Sequence, residues 1–151
     1  MRVRYVYRNS CEAEAPDHVR AYYDQIYDRG GGADRTYRPG LVGFESTVYA
    51  IELRAGIPTY YIRDPASNTL YHAAGICFNT IDSATSELWH YRCRYVPNRS
   101  KLLEGEKYML VLFAIKEWVE DDRFYERYLD GEKKYRSTME EYMKLMDAEY
   151  D

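Results

Sequence analysis

The sequence predicts an α+β fold: an antiparallel, aromatic-rich sheet of five or six strands, one helix after the first strand, and two C-terminal helices. Three observations predict it. Residues 88–96 read Leu-Trp-His-Tyr-Arg-Cys-Arg-Tyr-Val and alternate with period two, as a strand with one buried face does. Residues 2–8, Arg-Val-Arg-Tyr-Val-Tyr-Arg, repeat that design. Beyond residue 115, apolar side chains recur at helical spacing on otherwise charged segments.

In the 88–96 stretch, Trp89, Tyr91, Cys93 and Tyr95 share a face that is expected to be buried. His90, Arg92 and Arg94 share the opposite face and are expected to line up as cations on an open sheet surface. In the first strand, Val3, Tyr5 and Tyr7 fall on one side, and Arg2, Arg4, Val6 and Arg8 on the other. A helix follows over about 16–28. Pro16 suits a first turn, Asp17 suits the positive end of the helix dipole, and Val19, Tyr22, Tyr23 and Ile26 keep helical spacing. Gly30-Gly31-Gly32 ends it. The loop from Gly30 to Gly40 carries no phosphate-loop signature and reads as a flexible connection or lid.

Residues 44–54 and 57–63 are expected to form a hairpin about Ala55-Gly56, with Arg54 facing Ile57. Asp64-Pro65-Ala66-Ser67-Asn68 is a turn. Residues 70–79 form the next strand, expected to pair with 88–96. That pairing sets Ala73, Gly75 and Cys77 beside His90, Arg92 and Arg94, and a strand glycine leaves room for close approach. The apolar run 108–115 fits a buried strand or a buried helix; Gly105 before it favours a strand. A helix from Lys116 to Leu129 and a last helix over about 132–149 complete the chain. The last helix shows an apolar stripe of Tyr135, Met139, Tyr142, Met143 and Met146. One domain spans residues 1–151, with a sheet portion over about 1–115 and a helical portion over about 116–151.

Composition narrows the function classes. Charge is asymmetric: residues 1–100 sum to +1 with no lysine, whereas residues 101–151 sum to −5. Binding to long nucleic acid is unfavourable without a strong basic field. Tyrosine accounts for 18 of the 151 residues, and a ring with an apolar body and a polar tip suits half-buried and binding surfaces. Cys11, Cys77 and Cys93 show neither a disulfide framework nor zinc spacing, and His18, His72 and His90 show no metal-ligand spacing. No cofactor is implied. With no apolar signal region and no run of 18 apolar residues, the expectation is a cytoplasmic protein without a membrane segment.

The leading expectation is a non-enzymatic binding protein for a small anionic ligand, a nucleotide or cyclic-nucleotide signal that it senses or sequesters as a homo-oligomer. Arg92, Arg94 and His90 would hold the anion, Arg4 and Arg63 would support it, and Tyr61 or Tyr71 would stack on a ring. One alternative is a protein-interaction module of the inhibitor or immunity type, using the acidic C-terminal helices. Another is an enzyme built on Cys77 and His90, with Arg92 and Asn79 assisting. The arginines also suit plain salt bridges to the acidic C-terminal helices.

Overall fold

A computed structural model describes residues 1–6, 14–27, 42–98, 103 and 105–150. The Gly30–Gly40 loop, Tyr7, Arg8 and Cys11 lie outside the described residues. The fold is α+β, with seven antiparallel strands and four helices among the described residues. In chain order these are β1 (Arg2–Tyr5), α1 (Asp17–Tyr27), β2 (Glu45–Arg54), β3 (Ile57–Arg63), β4 (Leu70–Ala74), β5 (Phe78–Asp82), β6 (His90–Pro97), β7 (Lys107–Ala114), α2 (Lys116–Glu120), α3 (Phe124–Leu129) and α4 (Lys133–Ala148).

Strand β2 is the hub. It pairs with β3 along most of its length, with β1 over its first residues and with β7 over its last. Strand β4 extends the ladder beyond β3, β5 extends it beyond β1, and β6 pairs with β7. The β2–β3 hairpin has the expected register, with Arg54 opposite Ile57. Ala55 and Gly56 both take positive φ, at 50° and 82°, which matches the twist of a two-residue hairpin turn. The register slips between Val48 and Ala50, and the bulge carries Tyr49 into the core beneath the C-terminal helices. The Asp64 turn forms as expected. The Asp64 carboxylate accepts the Ala66 N–H at 2.9 Å, and Asn68 takes the left-handed conformation.

Two faces of the main sheet pack differently. One face, carrying Ala50, Tyr61, Leu70, Leu112 and Ala114, is covered by the C-terminal helices through Trp118, Phe124, Tyr128, Met139, Met143 and Met146. The methionine stripe of α4 is therefore spent on this core. Each such side chain contributes roughly 1.5–3 kcal/mol on burial. Tyr128 hydroxyl accepts the Leu70 N–H at 2.8 Å and ties α3 to β4. The opposite face, carrying Val48, Ile62 and Ala73, packs on Met1 and Val3. A third cluster sets Tyr22 and Tyr23 of α1 against Tyr5, Ile57, Ala74 and Cys77.

Three expectations are corrected. The 70–79 segment is two strands separated by a 3-10 turn at Gly75–Cys77. The turn is needed because β4 pairs with β3 while β5 pairs with β1. A Cβ on Gly75 would sit 2.8 Å from the Pro58 ring and 2.9 Å from its carbonyl oxygen, so the close approach there is to Pro58. The 116–129 helix is broken at Asp121, whose carboxylate accepts the Arg123 N–H at 2.9 Å and restarts the chain as α3. Finally, β6 pairs with β7 and not with the 70–79 segment, placing Arg92 opposite Leu112 and Arg94 opposite Leu110.

Candidate functional site

The new partner of β6 decides the fate of its arginines. Leu110 and Leu112 point to the helix-covered face, and His90, Arg92 and Arg94 project on the same side. Arg92 and Arg94 converge on one carboxylate, Asp122, at 2.5 and 2.7 Å. Tyr91 and Tyr95 lie on the uncovered side and are 71% and 74% exposed. The face expected to be inside is thus outside, and the expected row of open cations is an ion-paired rim beside α2 and α3. His90 is exposed at the start of β6, while Cys77 is buried near α1. The register that would join these two into a catalytic pair does not occur.

The remaining predicted residues separate. Tyr71 packs on the Val48–Ile62 side of the sheet. Tyr61 is buried on the helix side, with its ring edge-on to Trp118 and Tyr125 at centroid distances of 4.8 and 4.9 Å. Arg63 lines a cavity of about 340 Å³ between the start of β2, the end of β3 and the end of α4, whereas Arg4 is outside the lining and pairs with Glu45, which is part of it. That volume lies within the range of small-molecule sites.

The cavity is built from strand ends. Arg63, the last residue of β3, pairs with Asp147 of α4 at 3.0 Å and stands 5.4 Å from the Tyr49 ring centroid. Tyr49, brought there by the β2 bulge, donates to the Asp147 carboxylate at 2.7 Å. Its hydroxyl is pushed well above the usual tyrosine range, first by burial and then by that hydrogen bond, so it stays a neutral donor. On the other wall, Glu45 accepts from Arg4 at 2.5 Å and from Arg2 at 3.4 Å. The bond from Arg4 is the main reason that the Glu45 carboxyl lies below its usual range. Ser46, Thr47, Phe44 and Tyr150 complete the lining with hydroxyls and rings.

Hydrogen bonding is incomplete around this cavity. Arg2 and Arg63 meet Glu45 and Asp147 across its lining, and Arg4 adds a second guanidinium to Glu45 from outside it. The Arg63 Nε–H is buried with no acceptor among the described residues. A buried donor without a partner carries a desolvation cost of about 1–3 kcal/mol. The arrangement can accept an anionic group at the guanidinium wall while rings contact an apolar or aromatic body.

Sequence reasoning missed Tyr49, Glu45, Asp147 and Arg2 as members of this site. Strand alternation placed Tyr49 with Ile51 and Leu53, and only the bulge moves it. Asp147 lies on a charged helix face where no local signal distinguishes it from its neighbours. The chain matches no protein-family model, no curated protein and no solved structure. No helix among the described residues is long and apolar enough to cross a membrane.

Proposed function

We propose that this chain is a non-enzymatic binding protein for a small anionic ligand, with the Arg63 cavity as its site. One observation carries the reading: Arg2 and Arg63 line a cavity of about 340 Å³, and the Arg63 Nε–H is buried with no acceptor among the described residues. A phosphate or carboxylate there would accept from these guanidiniums. Tyr49, Phe44 and Tyr150 would flank a ring, as in a mononucleotide or cyclic nucleotide. The location is cytoplasmic, where such signals are sensed or sequestered. Arg92, Arg94 and His90 are not needed for binding in this reading, because Asp122 already neutralises part of their charge.

Calorimetric titration with mono-, di- and cyclic nucleotides tests it. One member of the panel should bind, and Arg63→Ala should weaken it by about tenfold or more, the cost of one charge-assisted hydrogen bond. Arg92→Ala with Arg94→Ala should leave affinity unchanged. No heat and no thermal shift across the panel, with no small molecule co-purifying, would sink the reading.

A protein-interaction role has a separate observation in its favour. Tyr91, Cys93, Tyr95 and Met109 are exposed, uncharged and neighbours on the uncovered side of β6 and β7. Strand β6 pairs with β7 alone among the described strands, so its outer edge suits a second copy related by a two-fold axis. Light scattering should give a dimer mass that falls to the monomer for Tyr91→Lys with Tyr95→Lys. A monomer mass for the unaltered chain rules this out.

A further inference from the structure

A second cavity, of about 190 Å³, opens on the helix-covered side of β2 and β3 between α1 and α3. Its floor is unusual for a sheet core. Glu52 lies two residues before the end of β2, paired with Thr59 on one side and Leu112 on the other, where apolar side chains would be expected. Its side chain is only 14% exposed, whereas that of Arg54, its ion-pair partner two residues on, is 40% exposed. His72 and the rings of Tyr61 and Tyr125 form the wall, and the Tyr125 hydroxyl lies 3.5 Å from His72 Nδ1. A carboxylate taken out of water is costly unless it is paired or used. Here the pair is contiguous with an open cavity.

We propose that this cavity is a binding site for a small zwitterion, a free amino acid or a close analogue. The ammonium would enter first and the carboxylate would remain at the mouth. The inner end carries acceptors and aromatic rings: the Glu52 carboxylate, the Thr59 hydroxyl, Tyr61, and Tyr125, which is itself stacked on Trp118 and Tyr128. These suit a primary ammonium through charge-assisted hydrogen bonds and cation–π contact. The imidazole of His72, held below the usual histidine range by burial first, lies beside the site without favouring a positive charge there. At the half-exposed mouth, Arg54 presents a guanidinium fork to a carboxylate. A ligand with both charges opposes the Glu52–Arg54 dipole and balances it; a ligand with only one charge leaves one pole unanswered. The assignment is independent of the Arg63 cavity.

Calorimetry on the full chain at neutral pH provides the test, with free amino acids, their decarboxylated amines and their deaminated acids as probes. At least one amino acid should bind one to one. Its amine and its acid should each bind about tenfold or more weakly, the usual cost of losing one charged contact. Glu52→Gln should abolish discrimination in favour of the ammonium. Arg54→Gln, which alters the half-exposed mouth, should weaken the amino acid and not the amine, because it also releases Glu52 from its ion pair; it serves if Glu52→Gln does not fold, as judged by near-ultraviolet circular dichroism. Arg63→Ala should change nothing. The proposal is overturned if no amino acid binds, if amine or acid alone binds as well as the zwitterion, or if Arg54→Gln leaves amino-acid affinity unchanged.

Discussion

His72 shows how a single buried side chain sets an acid limit on the fold. Burial holds its imidazole below the usual histidine range, while Glu52 pulls the other way and Arg54 adds to the lowering. The folded chain therefore resists taking up a proton that the unfolded chain accepts. As pH falls through the unfolded value of about 6.5, the unfolded state gains protons first and stability declines. Above that pH the contribution is fully present. Urea midpoints measured from about pH 8 down to about pH 5 should fall, and His72→Gln should flatten this part of the profile. An equal slope in the variant would assign the loss to other titrating groups. Gly75 is the other informative position. An added methyl group would press on the Pro58 backbone as well as its ring, and backbone cannot swing aside. Gly75→Ala should cost about 1–3 kcal/mol in chemical denaturation, as overpacking does. That glycine was legible as a site of close approach. Its partner was not, because strand alternation says nothing about which strand pairs with which.

Strand β6 marks the limit of periodicity at the scale of an element. Alternation in 88–96 correctly implied a strand with two unlike faces. The side facing inward depends on where the C-terminal helices settle. They settle over Leu112 and Ala114 of β7, whose partners on β6 are Arg92 and His90. Tyrosine tolerates the resulting exposure because its hydroxyl stays hydrated while its ring rests partly on neighbours; Tyr91 is tilted by 37° against Phe113 at a centroid distance of 6.3 Å. The salt-bridge alternative for the arginines is the one that the ion pairs to Asp122 realise. Such rim pairs contribute little, typically up to about 1 kcal/mol. Arg92→Ala with Arg94→Ala should therefore lower stability by about 1–2 kcal/mol at most, and less in high salt. Met139→Ala, at a fully buried position of α4, should cost about 2–5 kcal/mol. Urea denaturation of both variants beside the parent chain checks the ranking, and a reversed order would mean that β6 is anchored chiefly by charge.

At the scale of the whole molecule, the pattern of elements was legible because it depends on local rules. The hairpin about Ala55-Gly56, the Asp64 turn, the helix after Pro16 and the α4 stripe all stand where residue chemistry places them. The strand order and the Arg63 cavity were not legible, because they join segments distant in sequence; the second cavity lies on the expected hairpin but is closed by Tyr22 and Tyr125 from distant helices. Tyr49 and Asp147 meet across 98 residues, and Arg4 and Glu45 across 41. The same long-range wiring argues that sheet and helices are one cooperative unit. Helix α4 supplies Tyr135, Met139, Met143 and Met146 to the core that also holds Tyr49, Ala50, Leu70 and Leu112. It also supplies Asp147 to the Arg63 cavity. Without α4, the helix-covered face of β2, β3 and β4 would meet water over a broad apolar area, and Arg63 would lose its carboxylate. A chain ending before Lys133 should therefore retain some far-ultraviolet signal, lose near-ultraviolet structure and show no cooperative heat absorption on scanning calorimetry. The intact chain should unfold in one transition, with calorimetric and van't Hoff enthalpies equal. Two resolved transitions, or a truncated chain that still melts cooperatively, would show that the sheet stands without its helical layer.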